Sequence, residues 1–326
     1  MKTKISLLIL IIFTSSLHAD DPSTPNDGNL YIAQEGTFHP ERITIYHNNQ
    51  ILTDYQLTLD HNRIIKKNDV PSSTLPENAT TGSNMAWINE KSYVILTGSS
   101  SRYQHGILGD TIESTGFEIY KNNSLTAKYE LQYEEVFETL RPLTADVVLE
   151  NPGPEIILTT SNQYTGSRIE IYSLNGILLG ASDPIGRSYR WLHIIAAAPF
   201  GNNDKPAIAV VKTPHINGTL ELYIWNGKKL SVEAALTDVS THQIGSDNLN
   251  MALVMDLDGR TSPELLVPSV NFSQLYVIKY QNKKLRVIRT FDLPAQLATN
   301  ILYTYTGEPS IWMGLTNGQI VRLSEK

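Results

Sequence analysis

The side chains best suited to grip a ligand in this sequence are Arg190, Trp191 and His193, with His215 and Asn217 further along. Guanidinium, indole and imidazole groups combine apolar area with directional hydrogen bonding, and binding surfaces use them for that reason. These residue types point to recognition rather than to covalent chemistry. No Gly-x-Ser-x-Gly elbow, His-Glu-x-x-His pair, phosphate-cradling glycine loop or dinucleotide fingerprint occurs in the 326 residues. Glu134 and Glu135 are adjacent, so on a strand their carboxylates would face opposite ways. That pair reads as surface charge, not as a catalytic dyad.

The elements that must position these groups are legible in residues 251–285, MALVMDLDGRTSPELLVPSVNFSQLYVIKYQNKKL. A short apolar run leads into a turn at Asp256-Leu257-Asp258-Gly259. A second apolar run, Leu265-Leu266-Val267, has no polar alternation, which marks a strand buried on both faces. Residues 275–280 are aromatic and β-branched, suited to a pleated strand. Asn282-Lys283 predicts a tight turn into a fourth strand over 285–291. The sum is a four-stranded antiparallel meander.

The same text recurs. The openings NPGPEIIL, DKPAIAVV, SPELLV and EPSIWM place Pro154, Pro206, Pro263 and Pro309 at spacings of 52, 57 and 46 residues. A strand running into an Asn turn recurs as ITIYHNN, FEIYKNN, IEIYSLNG and LELYIWNG. Two markers in fixed order, with a period near fifty and four short strands per period, predict an all-β β-propeller of four-stranded antiparallel blades. The units fall at about 30–59, 85–131, 145–179, 194–236, 251–293 and 300–323, giving six blades, or seven if residues 62–84 hold further strands. The last unit stops after its third strand, which predicts that the two chain ends share a blade. Residues 63–82 are polar and read as a long loop.

These blades, with an apolar strand, an Asp-x-Asp-Gly loop, then Pro-Glu and another apolar strand, resemble FG-GAP/VCBS repeats of the integrin-α type. Residues 193–230 (LHIIAAAPF and KPAIAVVKTPHINGTLELYIWNGKKL lie across them) and 241–259 (THQIGSDNLNMALVMDLDG) carry the resemblance best. It extends from about residue 140 to the C-terminus and only loosely over 30–132. Similar chains occur as secreted or periplasmic bacterial proteins. The resemblance implies a calcium loop with oxygen ligands at positions 1, 3, 5 and 9. Here those positions are Asp256, Asp258, Arg260 and Glu264. A cation at the third ligand position repels a divalent ion. A metal-free turn is therefore favoured over one weak calcium site at Asp256, Asp258 and Glu264, and no other cofactor is expected.

Residues 1–19 have Lys2 and Lys4, the apolar run 5–13 and a small residue at Ala19, which reads as a secretory signal peptide. The apolar run is too short to span a bilayer, which takes about 20 residues. Residues 20–29 read as a flexible lead-in and 30–326 as one propeller domain. Removing residues 1–19 leaves 24 basic and 33 acidic residues, a net charge of −9. That balance argues against nucleic acid or an anionic membrane as partner. With no cysteine, the exported protein has neither disulfides nor thiolate metal sites.

In such a blade the 1–2 and 3–4 turns lie on one face, and the 2–3 and 4–1 loops on the other. The 3–4 turns are short. The opposite face collects His39, His105, His193, His215 and His242, with Tyr103, Arg141, Tyr164, Tyr189, Arg190, Trp191, Asn217 and Phe272. His193 also heads an apolar run, where it could be a hydrogen-bonded core residue. Clustered imidazoles predict binding that varies over about pH 5.5–8. The expectation is a periplasmic or secreted, non-catalytic binding or protein-interaction module using this face, with a protein or glycan ligand and no membrane span. The alternative is an enzyme acting on an extracellular polymer such as a glycan.

Overall fold

A computed structural model describes residues 75–326, apart from 90, 133, 152, 201–205, 247, 256–261, 305–309, 318–319 and 326. Five upstream strands are also described: Ile5–Leu8, Leu30–Tyr31, Arg42–His47, Gln50–Thr58 and Arg63–Lys66. The described residues are all-β, with no helix.

Four consecutive antiparallel meanders make up the centre of the chain. The first runs through Ala86–Asn89, Ser92–Ser100, Glu113–Lys121 and Ser124–Glu130. The second comprises Leu143–Ala145, Glu155–Asn162, Gly166–Tyr172 and Leu178–Ala181. The third is Leu192–Ala198, Ala207–Lys212, Thr219–Trp225 and Leu230–Thr237. The fourth is Leu253–Met255, Glu264–Pro268, Gln274–Gln281 and Lys284–Asp292. Each strand pairs antiparallel with the next in sequence. Val136–Phe137 pairs with Glu113–Lys121 on one side and Glu155–Asn162 on the other, tying the first meander to the second.

Each apolar cluster is shared by two neighbouring meanders. Phe117 and Leu96 pack with Ile156 and Tyr172; Ile157 and Ile171 pack with Ile208 and Tyr223. Leu222 packs with Leu265 and Ile278, and Leu266 with Met313 and Leu323. Successive sheets therefore stack face to face in chain order, as propeller blades do. This explains the unalternating apolar runs. A second strand such as Ala207–Lys212 or Glu264–Pro268 is covered on both faces by its neighbours, so both sets of alternating side chains must be apolar. The fourth strands are outermost, and Ser124–Glu130 and Lys284–Asp292 are mostly exposed.

The recurring strand marker has a structural cause. In FEIY, IEIY and LELY the Glu and Tyr lie two apart, with a register shift just before the Tyr. Tyr120, Tyr172 and Tyr223 donate to Glu118, Glu170 and Glu221 over 2.6, 2.5 and 2.7 Å. A second donor completes each carboxylate: Asn78, Arg168 and Lys212 respectively. A carboxylate enclosed between sheets needs such partners, so Glu and Tyr recur together.

The 3–4 turns are tight. Asn122 and Asn123 have φ of 50° and 60°, and Asn282 and Lys283 have φ of 52° and 60°, the left-handed pair of a two-residue hairpin turn. Residues 48 and 49 of the corresponding upstream turn lie outside the described residues.

One expectation needs correction near the N-terminus. Arg63–Lys66, read as loop, is a strand paired with Gln50–Thr58. Its Arg-Ile-Ile-Lys text has the β-branched pair that a strand needs, which the polar flanks obscured. The final strands Leu302–Thr304, Ser310–Gly314 and Ile320–Glu325 do gain a fourth from the other chain end. That strand is Ile5–Leu8, within the stretch read as signal peptide, paired antiparallel with Ile320–Glu325.

Candidate functional site

The 2–3 and 4–1 loops of adjacent meanders meet on one face, and the site is built where they touch. Residues 101–112 are the longest of the 2–3 loops in the four meanders. They fold across to the loop at 241–250, where Gly245 N–H donates to Ile107 O at 2.9 Å. Ile107, Leu108 and Trp191 form a small apolar core beneath this crossing, with Leu140 and Leu249 packed against it.

Trp191 is the centre of the cluster. It is 2 % exposed, and its indole Nε1–H donates to Glu138 O at 2.9 Å. Its ring lies nearly parallel to His193 (4.8 Å, 12°) and to His215 (5.9 Å, 19°), and edge-on to His242 (5.0 Å, 71°). Buried imidazoles need hydrogen bonds in a defined tautomer. His193 Nδ1 lies 2.8 Å from Thr241 Oγ1. His242 Nε2 donates to Ser246 O at 2.7 Å, so its Nδ1 is an acceptor, and it receives Nε2–H of His215 at 2.8 Å. That chain leaves His215 Nδ1 with a lone pair and no partner among the described residues. Burial holds His215 and His242 down to about 4, and His193 well below its ordinary range. At His193, His215 and His242 burial therefore favours the neutral imidazole.

A second network adjoins the first. Glu138 is fully buried. Its Oε1 lies 2.5 Å from His105 Nδ1, and its Oε2 accepts from Ser161 (2.5 Å) and Ser167 (3.4 Å). Burial pushes this carboxyl up, and the bonds from His105, Ser161 and Ser167 pull against that. Tyr103, 1 % exposed, stacks on Tyr189 at 5.5 Å and 18°, and His105 sits 5.6 Å from Tyr189. Glu113 is also buried, and desolvation, then Glu138 and Asp110, push its carboxyl up to about 9.

Beside these networks opens a cavity of about 1060 Å³. Five consecutive sheets each set one polar residue at the head of their first strand: Asn84, Arg141, His193, Asn250 and Asn300. All five line the cavity. Neighbours in this collar are bonded, with Asn84 N donating to Leu140 O at 2.9 Å and Asn300 Oδ1 accepting from Asn250 N at 2.9 Å. Below it the wall is Ala196, Ala197, Ala198, Ala145 and Val254, whose small side chains leave the bore open.

Of the residues singled out in the sequence, Trp191, His193 and His215 are brought together. Trp191 lies beneath the surface and does not offer its indole to solvent. Arg190 is at the edge, its Nη1 donating to Tyr189 O at 2.8 Å, while its own carbonyl accepts from Ser167. Asn217 is on an exposed turn at φ +51°, a conformation asparagine tolerates, and that turn accounts for its type. His242 and Tyr189 are central, and Glu138 and Thr241 were not singled out. A lone acid between Phe137 and Leu140 was the available signal for Glu138. Glu135, read as a free surface charge, instead takes a two-pronged bond from Arg168, at 2.6 and 3.0 Å.

At the calcium position, Asp256, Asp258 and Arg260 lie outside the described residues, as does His39. Glu264 is fully buried and accepts from Lys279 Nζ at 2.5 Å. In the second meander Glu155 holds the matching loop directly, accepting from Val147 N, Val148 N and Asn151 Nδ2 at 2.8, 3.0 and 2.7 Å. Both carboxylates bond to protein donors that compete with a cation.

No family model matches the chain, and no curated protein matches it. Among solved structures it is similar to the WD40 domain of coronin from Toxoplasma gondii, with a TM-score of 0.42 and 10 % identity. That likeness covers 71 % of this chain and 56 % of the coronin chain, little over half of it.

Proposed function

We propose that this protein is an exported, non-catalytic binding or protein-interaction module, built as a β-propeller whose working surface is the face of the 2–3 and 4–1 loops. The carrying observation is the convergence of loops from successive meanders on the Trp191 cluster, beside the polar collar of the cavity. On the opposite face the 3–4 turns are short, at two to five residues between strands. Exposed apolar side chains also gather on the loop face, among them Tyr164, Tyr189, Ile216 and Ile244, at 61, 39, 54 and 71 % exposure. Apolar side chains grouped among polar loops mark contact surfaces. Face-to-face stacking of the sheets supports the propeller reading, and the six sequence units support six blades of FG-GAP/VCBS kind. The leader-like residues 1–19 support export to the periplasm or beyond.

The test is capture from periplasmic extract with wild type, an Ile216→Ser/Ile244→Ser/Arg190→Ala variant, and a Lys283→Glu control on the turn face. The reading expects a specific protein or glycan to be retained by wild type and the control and lost by the triple variant. Equal retention by all three overturns it. N-terminal sequencing tests export: a start at Asp20 supports it and removes the Ile5–Leu8 strand, whereas an intact residue 1 keeps that strand and overturns it.

An enzyme acting on a polymer such as a glycan is the second reading. One observation favours it: a buried carboxylate orients His105 through Nδ1, as a general base requires. Polymer hydrolysis lost in His105→Ala would establish it.

A further inference from the structure

We propose that Tyr189, His105 and His215 form a subsite for a neutral saccharide, a deeper statement of the loop-face reading on which it rests. The three side chains come from three loops, at residues 101–112, 182–191 and 213–218. Tyr103, almost wholly buried, backs one face of the Tyr189 ring at 5.5 Å, while Tyr189 itself is 39 % exposed. The result is a rigid aromatic platform. It is held at a cost, because Tyr189 has φ +51°, a conformation bulky residues rarely adopt. Strain of this kind persists where surrounding contacts enforce it, and it concentrates at binding sites.

Two imidazole nitrogens have no hydrogen-bond partner among the described residues, one on His105 beside the platform and one on His215 against Trp191. His215 Nδ1 is an acceptor, fixed by the chain His215 to His242 to Ser246. His105 Nε2 is the far nitrogen of a ring whose Nδ1 is engaged by Glu138. It donates or accepts according to where the shared proton sits. His105 is near enough to His215 to act on its charge.

Charge narrows the ligand. An anion meets an acceptor at His215 Nδ1 and the carboxyl of Glu138 behind His105. A cation meets Arg187 and Arg190, on either side of Tyr189 in its own loop. A neutral molecule with an apolar face and hydroxyl groups satisfies every element. Its C–H face covers Tyr189, and its hydroxyls, which both donate and accept, reach His105 and His215. A pyranose has this form.

The experiment titrates the purified protein with neutral di- and trisaccharides of glucose, galactose, mannose and N-acetylglucosamine, by calorimetry and by tyrosine and tryptophan fluorescence. At least one is expected to bind. Tyr189→Asn, which keeps the left-handed backbone while removing the ring, should weaken binding about tenfold or more, while Tyr189→Phe retains it. His215→Ala should weaken it as well. No binding by any sugar up to about 10 mM overturns the proposal, as does unchanged affinity in folded Tyr189→Asn. If Tyr189→Asn abolishes capture of a protein that no sugar displaces, the saccharide assignment fails and the loop-face reading stands. If capture is also untouched, both fail.

Discussion

His215 donates its Nε2 proton to Nδ1 of His242 across 2.8 Å, a direction set by Ser246 O, which accepts from His242 Nε2. Protonating His242 would put a donor at Nδ1, where His215 needs an acceptor, inside a cluster that also holds His193 and adjoins His105. The folded protein keeps both groups neutral down to about pH 4, whereas an unfolded histidine titrates near 6.5. The folded values are depressed. The stabilising contribution is therefore complete above about pH 6.5 and is lost as pH falls from there to about 4. With allowance for solvent at His215, the loss is on the order of 4 kcal/mol. Urea unfolding at pH 7, 6, 5 and 4 measures it. The double variant His215→Gln/His242→Gln should flatten the profile over this window, and an unaltered slope would show the cluster does not carry it.

Glu113 works in the opposite direction. Its folded value is raised to about 9 by burial, then by Glu138 and Asp110. Its contribution is complete below the unfolded carboxyl range and is lost as pH rises towards 9. Glu113→Gln keeps the shape without the charge. It should raise Tm at pH 8 and leave it nearly unchanged at pH 4.5. A lower Tm at pH 8 would mean that the ionised carboxylate has an important partner.

The fold was legible because its determinants are local and repeated. An apolar second strand, a Glu–Tyr pair two residues apart and a two-residue Asn turn all lie within one meander. Each is forced by stacking between neighbouring sheets, so each recurs. The site is different in kind. Trp191 and Glu138 are 53 residues apart, His193 and Thr241 are 48 apart, and His105 and Glu138 are 33 apart. Those contacts join separate repeats through loops of unequal length, and no period exposes them. Residue type gathered Trp191, His193 and His215, which the structure brings together. It could not say that Trp191 is buried beneath the surface, or that Asn217 reflects its own turn.

The Glu–Tyr pairs allow one motif to be compared at two depths. Tyr172 is fully buried and bonds Glu170 at 2.5 Å, with Thr160 and Arg168 completing that carboxylate. Tyr120 is only part-buried and bonds Glu118 at 2.6 Å. A bond to a buried charge contributes about 1.5–3 kcal/mol, whereas water can replace an accessible one. Tyr172→Phe should therefore cost about 2 kcal/mol and Tyr120→Phe less than about 1 kcal/mol in chemical denaturation. Equal costs would mean the motif acts through strand geometry and not through its hydrogen bond.

Glu264 is paired with Lys279, and that pairing bears on calcium. Lys279 Nζ reaches Oε1 at 2.5 Å in a site where both side chains are nearly inaccessible, at 0 and 7 %. Removing one member of such a pair leaves a buried charge, which costs about 3–5 kcal/mol. Glu264→Ala should fall in that range, and Glu264→Ala/Lys279→Met should recover much of the loss, because no unpaired charge remains. A cation at Glu264 would have to displace or repel the ammonium, so millimolar calcium or EDTA should leave wild-type Tm unchanged. A rise in Tm with calcium that disappears in Glu264→Gln would place a metal there and demote Lys279 from partner to neighbour.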